Sequence, residues 1–278
     1  MRSSVVALVL AFVAATLSAQ VFSTQPTASL RKAVVPVVGS TPGANGAQFK
    51  TSLRIQALPG AHGRIVFHRL GTMGSDADPS LTWSFPDDAK SADFIQYDDV
   101  VAALGQSGLG SLDIIPDQNC CNIFPTVITR VFNDTANGTF GAEEELSYPV
   151  QYFAPSRGGA QAAQTFIPPM STQFRRNVGF RTLSNVDIGA FIIRKDGTRF
   201  SGPLVHFPGE YMTMMSVEDF VKNYMHTTIA PDDALVVYSN AEGQAIFFYT
   251  YTDNGTNDPA IVVTPPVWEP ILLKDIPN

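Results

Sequence analysis

The chain has 278 residues, 45% of them hydrophobic and only 15% charged, with a formal net charge of −7. That balance supports a sizeable core and excludes a disordered chain. An acidic chain with scattered Lys and Arg also lacks the electrostatic footprint of a nucleic-acid binder and the polybasic patch of a membrane-surface protein.

Arg2 precedes an uncharged apolar run from Val5 to Ala15, and small residues follow, with Ala19 before Gln20. This charge–apolar–small order is that of a secretory signal peptide, read as residues 1–19. The run is shorter than the roughly 20 residues a membrane span needs, so cleavage is expected to leave no transmembrane segment. The mature protein is then secreted, extracellular or periplasmic. Cleavage removes Arg2 and no acid, making the chain slightly more acidic.

Strand patterns come next and dominate. Phe49, Thr51, Leu53 and Ile55 alternate with Lys50, Ser52, Arg54 and Gln56, a period of two that marks a half-buried strand. Arg64–Leu70 is rich in residues that suit a pleated surface. Leu81, Trp83 and Phe85 alternate with Ser80, Thr82 and Ser84, so Trp83 is expected in the core. Asp98 is placed to cap a short helix through Val100, Val101, Ala103 and Leu104, which Gly105 ends. Strands at Leu112–Ile115 and Thr126–Phe132 follow, then at Ala190–Arg194. Ser216 is placed to cap a second helix that buries Val217, Phe220, Val221 and Tyr224, with Asp219 completing a loose capping box. Strands at Leu235–Tyr238 and Ala245–Thr252 complete the series.

The order of these elements repeats. Gln48-Phe49-Lys50 parallels Gln173-Phe174-Arg175, and each triplet opens an alternating strand. Ile65-Val66-Phe67 and Phe191-Ile192-Ile193 each lead to a Gly-Thr pair. Asp98–Val101 parallels Glu218–Val221, and Leu112–Ile115 parallels Ala234–Val237. Phe132-Asn133-Asp134 parallels Tyr251-Thr252-Asp253, and Asn-Gly-Thr follows in both places, at Asn137 and Asn254. The fold class expected is all-β, with two tandem immunoglobulin-like β-sandwich units, each carrying one short helix. The units span 34–149 and 165–278. The Pro-, Gly- and Ala-containing segment 150–164 is read as the linker.

The stretch Val37-Val38-Gly39-Ser40-Thr41-Pro42-Gly43-Ala44-Asn45-Gly46, running into Phe49–Ile55, resembles a recurrent tandem β-sandwich module of uncharacterised secreted bacterial proteins. Thr252-Asp253-Asn254-Gly255-Thr256-Asn257-Asp258-Pro259 is similar to that module's closing hairpin. The resemblance implies a β-sandwich and no activity, and function inferred from such a fold is analogy.

Candidate sites are sparse. Cys120 and Cys121 are adjacent and cannot staple distant parts of the chain. They suit a strained vicinal disulfide with a redox role, pairing between chains, or no role at all. Asp76 and Asp78 in one loop, and Asp253 and Asp258 in the closing hairpin, are the candidate metal ligands, with Ca²⁺ as the ion that takes such oxygens. Asp, Asn and Gly in the same positions also suit tight turns. His62, His68, His206 and His226 lack the spacing of a zinc set. Gly105-Gln106-Ser107-Gly108-Leu109 fails the nucleophile-elbow pattern at its last position. Glu143–Glu145 reads as a solvated edge. Asn133, Asn137 and Asn254 open Asn-x-Thr triplets, which matter only in a eukaryotic secretory route. Trp83, Tyr97, Tyr148, Tyr152 and Trp268 are the aromatics available for sugar stacking, Trp268 being the one in a Pro-rich tail.

With no catalytic constellation, the expectation is a secreted or cell-envelope protein that is not an enzyme. It binds or scaffolds an extracellular protein or glycan through its sandwich loops, near Asp76 or Asp253. The alternatives are a carbohydrate-binding protein, with Ca²⁺ as a possible cofactor, and behind it a glycoside hydrolase, whose paired carboxylates only three-dimensional spacing identifies.

Overall fold

The computed structural model describes residues 32–90, 93–117, 124–136, 138–148, 163–239 and 244–264, and it is mostly β. The expected signal peptide, Cys120, Cys121, Tyr152, Trp268 and all but the last two residues of the expected linker lie outside the described residues. Among the described residues, no helix is long and apolar enough to cross a membrane.

The N-terminal half runs β1 (Ala33–Pro42), β2 (Gln48–Gln56), β3 (His62–Arg69), β4 (Ser80–Ser84), β5 (Ile95–Tyr97), α1 (Val100–Ala103), β6 (Gly108–Pro116), β7 (Thr126–Thr135) and β8 (Gly138–Glu144). The strand order is β4-β3-β6-β1-β2-β7-β8, with β5 also on β2. β1 makes the join. Ala33–Ser40 pair with β6, and Thr41 and Pro42 turn away to pair with β2. The sheet therefore has two wings, and Leu53, Ile55, Ile65, Phe67, Trp83, Leu112, Ile114 and Val127 meet between them as one core.

The C-terminal half runs β9 (Gln164–Ile167), β10 (Phe174–Thr182), β11 (Val186–Ile193), β12 (Arg199–Ser201), β13 (Val205–Phe207), β14 (Met212–Ser216), α2 (Val217–Phe220), β15 (Ala234–Ser239), β16 (Ala245–Asp253) and β17 (Pro259–Val263). It forms two sheets, β14-β10-β16-β17 and β12-β11-β15-β9, with β13 also on β11. Phe180, Phe247, Ile188, Ile192, Leu235 and Val237 fill the space between them.

β2 and β4 follow the alternation in the sequence. On β2, Leu53 and Ile55 are buried while Arg54 and Gln56 are exposed. β1 does not alternate, because both of its faces are covered: its first seven residues are all buried. Ala33, Val35 and Val38 enter the N-terminal core, whereas Val34 and Val37 enter the C-terminal one. A register shift between Val35 and Val38 marks a bulge there. The bulge accommodates Pro36, which has no N–H for a regular ladder. It also frees the Val37 N–H, which donates to Glu144 Oε1 at 2.7 Å.

The β10 sheet is likewise covered on both sides. Phe180 and its partner Phe247 face inward, while the next rung, Gly179 with Phe248, and Arg181 with Ile246 face the other way. Those outward residues are buried with Val34 and Val37, so this face packs against the N-terminal half.

Both expected helices form: the first is a single turn, and the second continues from Val217–Phe220 into a π-helical turn, Val221–Met225. Ser216 Oγ accepts the Asp219 N–H at 3.0 Å and donates to its carboxylate at 2.7 Å. Val217, Phe220 and Val221 are buried as anticipated, with Tyr224 partly so. At α1 the cap is Asp99, one residue later than expected: its Oδ1 accepts the Ala102 N–H at 3.1 Å, while Asp98 takes the Gln96 side chain. Asp99→Ala is expected to lower stability by about 1 kcal/mol, measured as a reduced urea midpoint at unchanged slope.

Candidate functional site

A groove of about 390 Å³ lies on the outer face of β5, β2 and β7, lined by Lys50, Ser52, Gln96, Asp98, Asp99, Arg130, Phe132 and Asp134. It follows from strand alternation. Lys50, Ser52 and Arg54 point away from the core that Leu53 and Ile55 enter, and their cross-strand partners Phe132, Arg130 and Ile128 share that face. The short β5 adds Gln96 opposite Arg54, and the chain leaving β5 for α1 adds Asp98 and Asp99.

The polar groups here are tied to one another. Lys50 Nζ lies 2.7 Å from Asp134 Oδ2, which raises the lysine pKa through that hydrogen bond. Gln96 Nε2 donates to Asp98 Oδ1 at 2.8 Å, and Arg54 donates to Gln96 Oε1 at 2.9 Å. Arg130 donates to the Thr139 hydroxyl and carbonyl at 3.0 and 3.2 Å, and its guanidinium sits 5.3 Å from the Phe132 ring centroid. Asp99 Oδ2 accepts the Ser40 hydroxyl at 2.7 Å. Each long side chain is thus held before a ligand arrives, which reduces the entropy lost on binding.

A second charged cluster is buried where the halves meet. Asp113 on β6 is its centre, with its side chain only 3% exposed. Its Oδ2 accepts from Lys32 Nζ at 2.6 Å and faces His68 Nε2 at 3.0 Å and Arg181 Nη2 at 3.7 Å. Lys32 also reaches Glu210 Oε2 at 3.0 Å, which pairs in turn with Arg181, and His68 Nδ1 lies 2.7 Å from Asp78 Oδ2. Both His68 nitrogens face carboxylates, so both bonds form together only when both carry hydrogen. Burial pushes the Asp113 pKa up, but Lys32, the His68 hydrogen bond and Arg181 outweigh it and hold the carboxyl well below the usual range. Asp113 Oδ1, Ser111 Oγ and Arg181 Nε and Nη1 are buried without a protein partner.

Backbone contacts frame this cluster. The Gly71 N–H donates to the Met212 carbonyl at 2.8 Å, and the Gly74 N–H to the Glu210 carbonyl at 2.7 Å. Gly74 crosses the His68 ring so closely that a Cβ there would lie 2.5 Å from Nδ1. Only glycine lets the loop seal the imidazole in. The cluster lies where the halves meet, with Lys32, His68, Asp113 and Arg181 buried and Glu210 and Asp78 partly at the surface.

The expected site residues fall apart in space. Asp78 belongs to the buried cluster, its Oδ2 also accepting the Ser75 N–H at 3.0 Å. Burial raises the Asp78 pKa, but the His68 and Ser75 hydrogen bonds bring it below the ordinary value. Asp76 is exposed in the same loop. Asp253 Oδ1 accepts the Gly255 and Thr256 N–H groups at 2.7 and 2.9 Å, and Oδ2 takes the Gln173 side chain at 2.6 Å. Asp258 touches this turn through its backbone carbonyl, which accepts the Asp253 N–H at 3.2 Å. Among the described residues, no three His, Cys, Asp or Glu side chains gather as a metal set.

Of the aromatics, Trp83 is in the core as expected. Tyr148 packs edge-on against Phe124 at 5.5 Å, and Tyr97 lies partly buried on β5. His62 and His68 share a strand face, yet His62 is exposed and His68 buried. His206 pairs with Asp187 at 2.8 Å on the surface, and His226 ends the second helical turn with a positive φ of 55°.

The groove residues passed unnoticed in the sequence because each reads there as the solvated side of an amphipathic strand. The signal that finds them is Lys50-x-Ser52-x-Arg54 set against Ile128-x-Arg130-x-Phe132-x-Asp134, once the two strands are known to pair. Comparison with family models, with curated proteins and with solved structures finds no match to this chain.

Proposed function

We propose that this is an exported binding protein built from two immunoglobulin-like sandwiches in tandem, and that it holds its partner in the groove on β5, β2 and β7. The duplication is supported by pairing order. β4-β3-β6-β1 has its counterpart in β12-β11-β15-β9, and β5-β2-β7-β8 in β14-β10-β16-β17. One capped helical turn follows β5 and another follows β14.

The observation that carries the binding reading is the groove itself, a concave surface with pre-held donors and acceptors. Its counterpart in the second sandwich is the face bearing Arg181 and Phe248, which the first sandwich covers. The loops first expected to bind are less suited. The Asp78 carboxylate is engaged by His68 and Ser75, and that of Asp253 by its own turn and Gln173.

The test is to display the secreted protein on arrays of extracellular proteins and glycans beside two variants. One carries Lys50→Ala and Arg130→Ala, the other Asp76→Ala and Asp253→Ala. Signals given by the parent are expected to vanish with the first variant and persist with the second. The reverse pattern returns recognition to the loops and refutes the groove.

A further inference from the structure

Resting on the groove reading, we infer that the ligand is a neutral oligosaccharide. Two cations, Lys50 and Arg130, and three carboxylates, Asp98, Asp99 and Asp134, line the groove with Gln96 and Ser52. The near balance gives no surplus positive charge to select a phosphate, a sulfate or an acidic sugar. The acids are themselves occupied: Asp134 by Lys50, Asp98 by Gln96, and Asp99 by Ser40 and the Ala102 N–H. A strongly cationic ligand would have to displace those partners.

What remains is a surface where hydrogen-bond donors and acceptors alternate at close range. A sugar hydroxyl both donates and accepts, so neighbouring hydroxyls match an ammonium beside a carboxylate, or an amide beside a carboxylate. Lys50 with Asp134, and Gln96 with Asp98, are two such pairs, and both keep unused hydrogen-bonding capacity. The Arg130 guanidinium, 5.3 Å from the Phe132 ring centroid, adds a planar group on which the C–H face of a pyranose can rest.

The groove's position argues against a peptide. An extended peptide that binds by strand addition needs a free sheet edge for its main chain. Here the floor is the face of β2, whose backbone is already paired with β5 on one side and β7 on the other. A ligand on that face meets side chains alone, and must bring its own dense array of small polar groups. A site of about 390 Å³ has room for more than one sugar unit.

The experiment is isothermal titration of the secreted protein with neutral hexasaccharides of glucose, mannose, galactose and N-acetylglucosamine, with uronic-acid hexasaccharides and with a pool of extended peptides, each at low and at high salt. At least one neutral hexasaccharide is expected to bind with an affinity that changes less than about threefold between the salts. Asp98→Asn and Arg130→Ala are each expected to weaken it by about tenfold, which corresponds to one lost charged hydrogen bond. Circular dichroism first establishes that both variants fold. Binding of acidic sugars or peptides alone, with loss in the groove variants, overturns the ligand class and leaves the groove standing. Neutral-sugar binding untouched by either variant overturns the groove as the site. No binding by any neutral hexasaccharide overturns the inference.

Discussion

Asp113→Asn is expected to lower the folding stability by about 3–5 kcal/mol, the cost of removing one partner from a buried ion pair. Asparagine keeps the shape of the side chain, so the loss reports charge and not a cavity. Lys32, His68 and Arg181 would each lose the negative charge they now share, although the amide oxygen can still accept a hydrogen bond. For a chain of this size the melting temperature should fall by on the order of 10 °C. Replacing Lys32, Asp113, Arg181 and Glu210 together by apolar residues of similar volume should cost far less, because the cations and carboxylates that pair with one another leave together and His68 keeps Asp78. Differential scanning calorimetry of the two variants checks both statements. A single variant as stable as the parent would mean that Asp113 contributes nothing across the contact.

The same carboxyl sets the acid limit. Its pKa is held down in the folded chain. Its contribution is therefore fully present above the unfolded carboxylate value of about 3.9 and is lost as pH falls below it. Asp78, also held down, acts in the same direction. Chemical denaturation between pH 5 and pH 2 should show the parent losing stability more steeply than Asp113→Asn.

Glu144→Gln is expected to do the opposite at the alkaline end. Glu144 is buried at the end of β8, with Oε1 taking the Val37 N–H in the β1 bulge and Oε2 buried without a protein partner. Burial raises its pKa well above the ordinary value, and the Val37 hydrogen bond only partly offsets this. A raised pKa gives stability that is full below the unfolded value of about 4.3 and is lost as pH rises through the folded one. Glutamine keeps the acceptor for Val37 and has no proton to lose. The variant should match the parent to within about 1 kcal/mol near pH 5 and exceed it by about 1–3 kcal/mol at pH 9, as read from urea midpoints. Identical pH profiles would show that Glu144 is not buried as a neutral acid. Together the two groups give a stability maximum in mildly acidic solution.

The sequence made some of this legible and hid the rest for physical reasons. Alternating strands such as β2 and β4 were readable because one face meets a core and the other meets water. β1 carries no such pattern, since both faces of Ala33–Val38 are covered, and a continuous apolar run does not announce which residue serves which core. The helix caps were readable to within one residue, with Asp99 taking the role expected of Asp98, because two adjacent aspartates offer the same chemistry. Asp113, Arg181 and His68 were invisible as a group. Each is a polar residue on the outward side of a strand, the normal mark of solvent exposure, and only the packing of one sheet on another reverses that meaning. The groove was missed for the mirror-image reason. Its residues do face water, and nothing along the chain says that three strands and a helix cap bring them around one concavity.

The bulge at Pro36 has a consequence for how such a chain can change over generations. Val34 and Val37 sit in the first strand, yet they pack among Phe248, Ile246 and Met212 of the far half. A substitution at either valine is judged by a core encoded more than 120 residues away, while its neighbours Val35 and Val38 answer to a nearer one. The two halves therefore do not behave as interchangeable cassettes. Recombination that swaps one half for another would separate β1 from the surface it packs against.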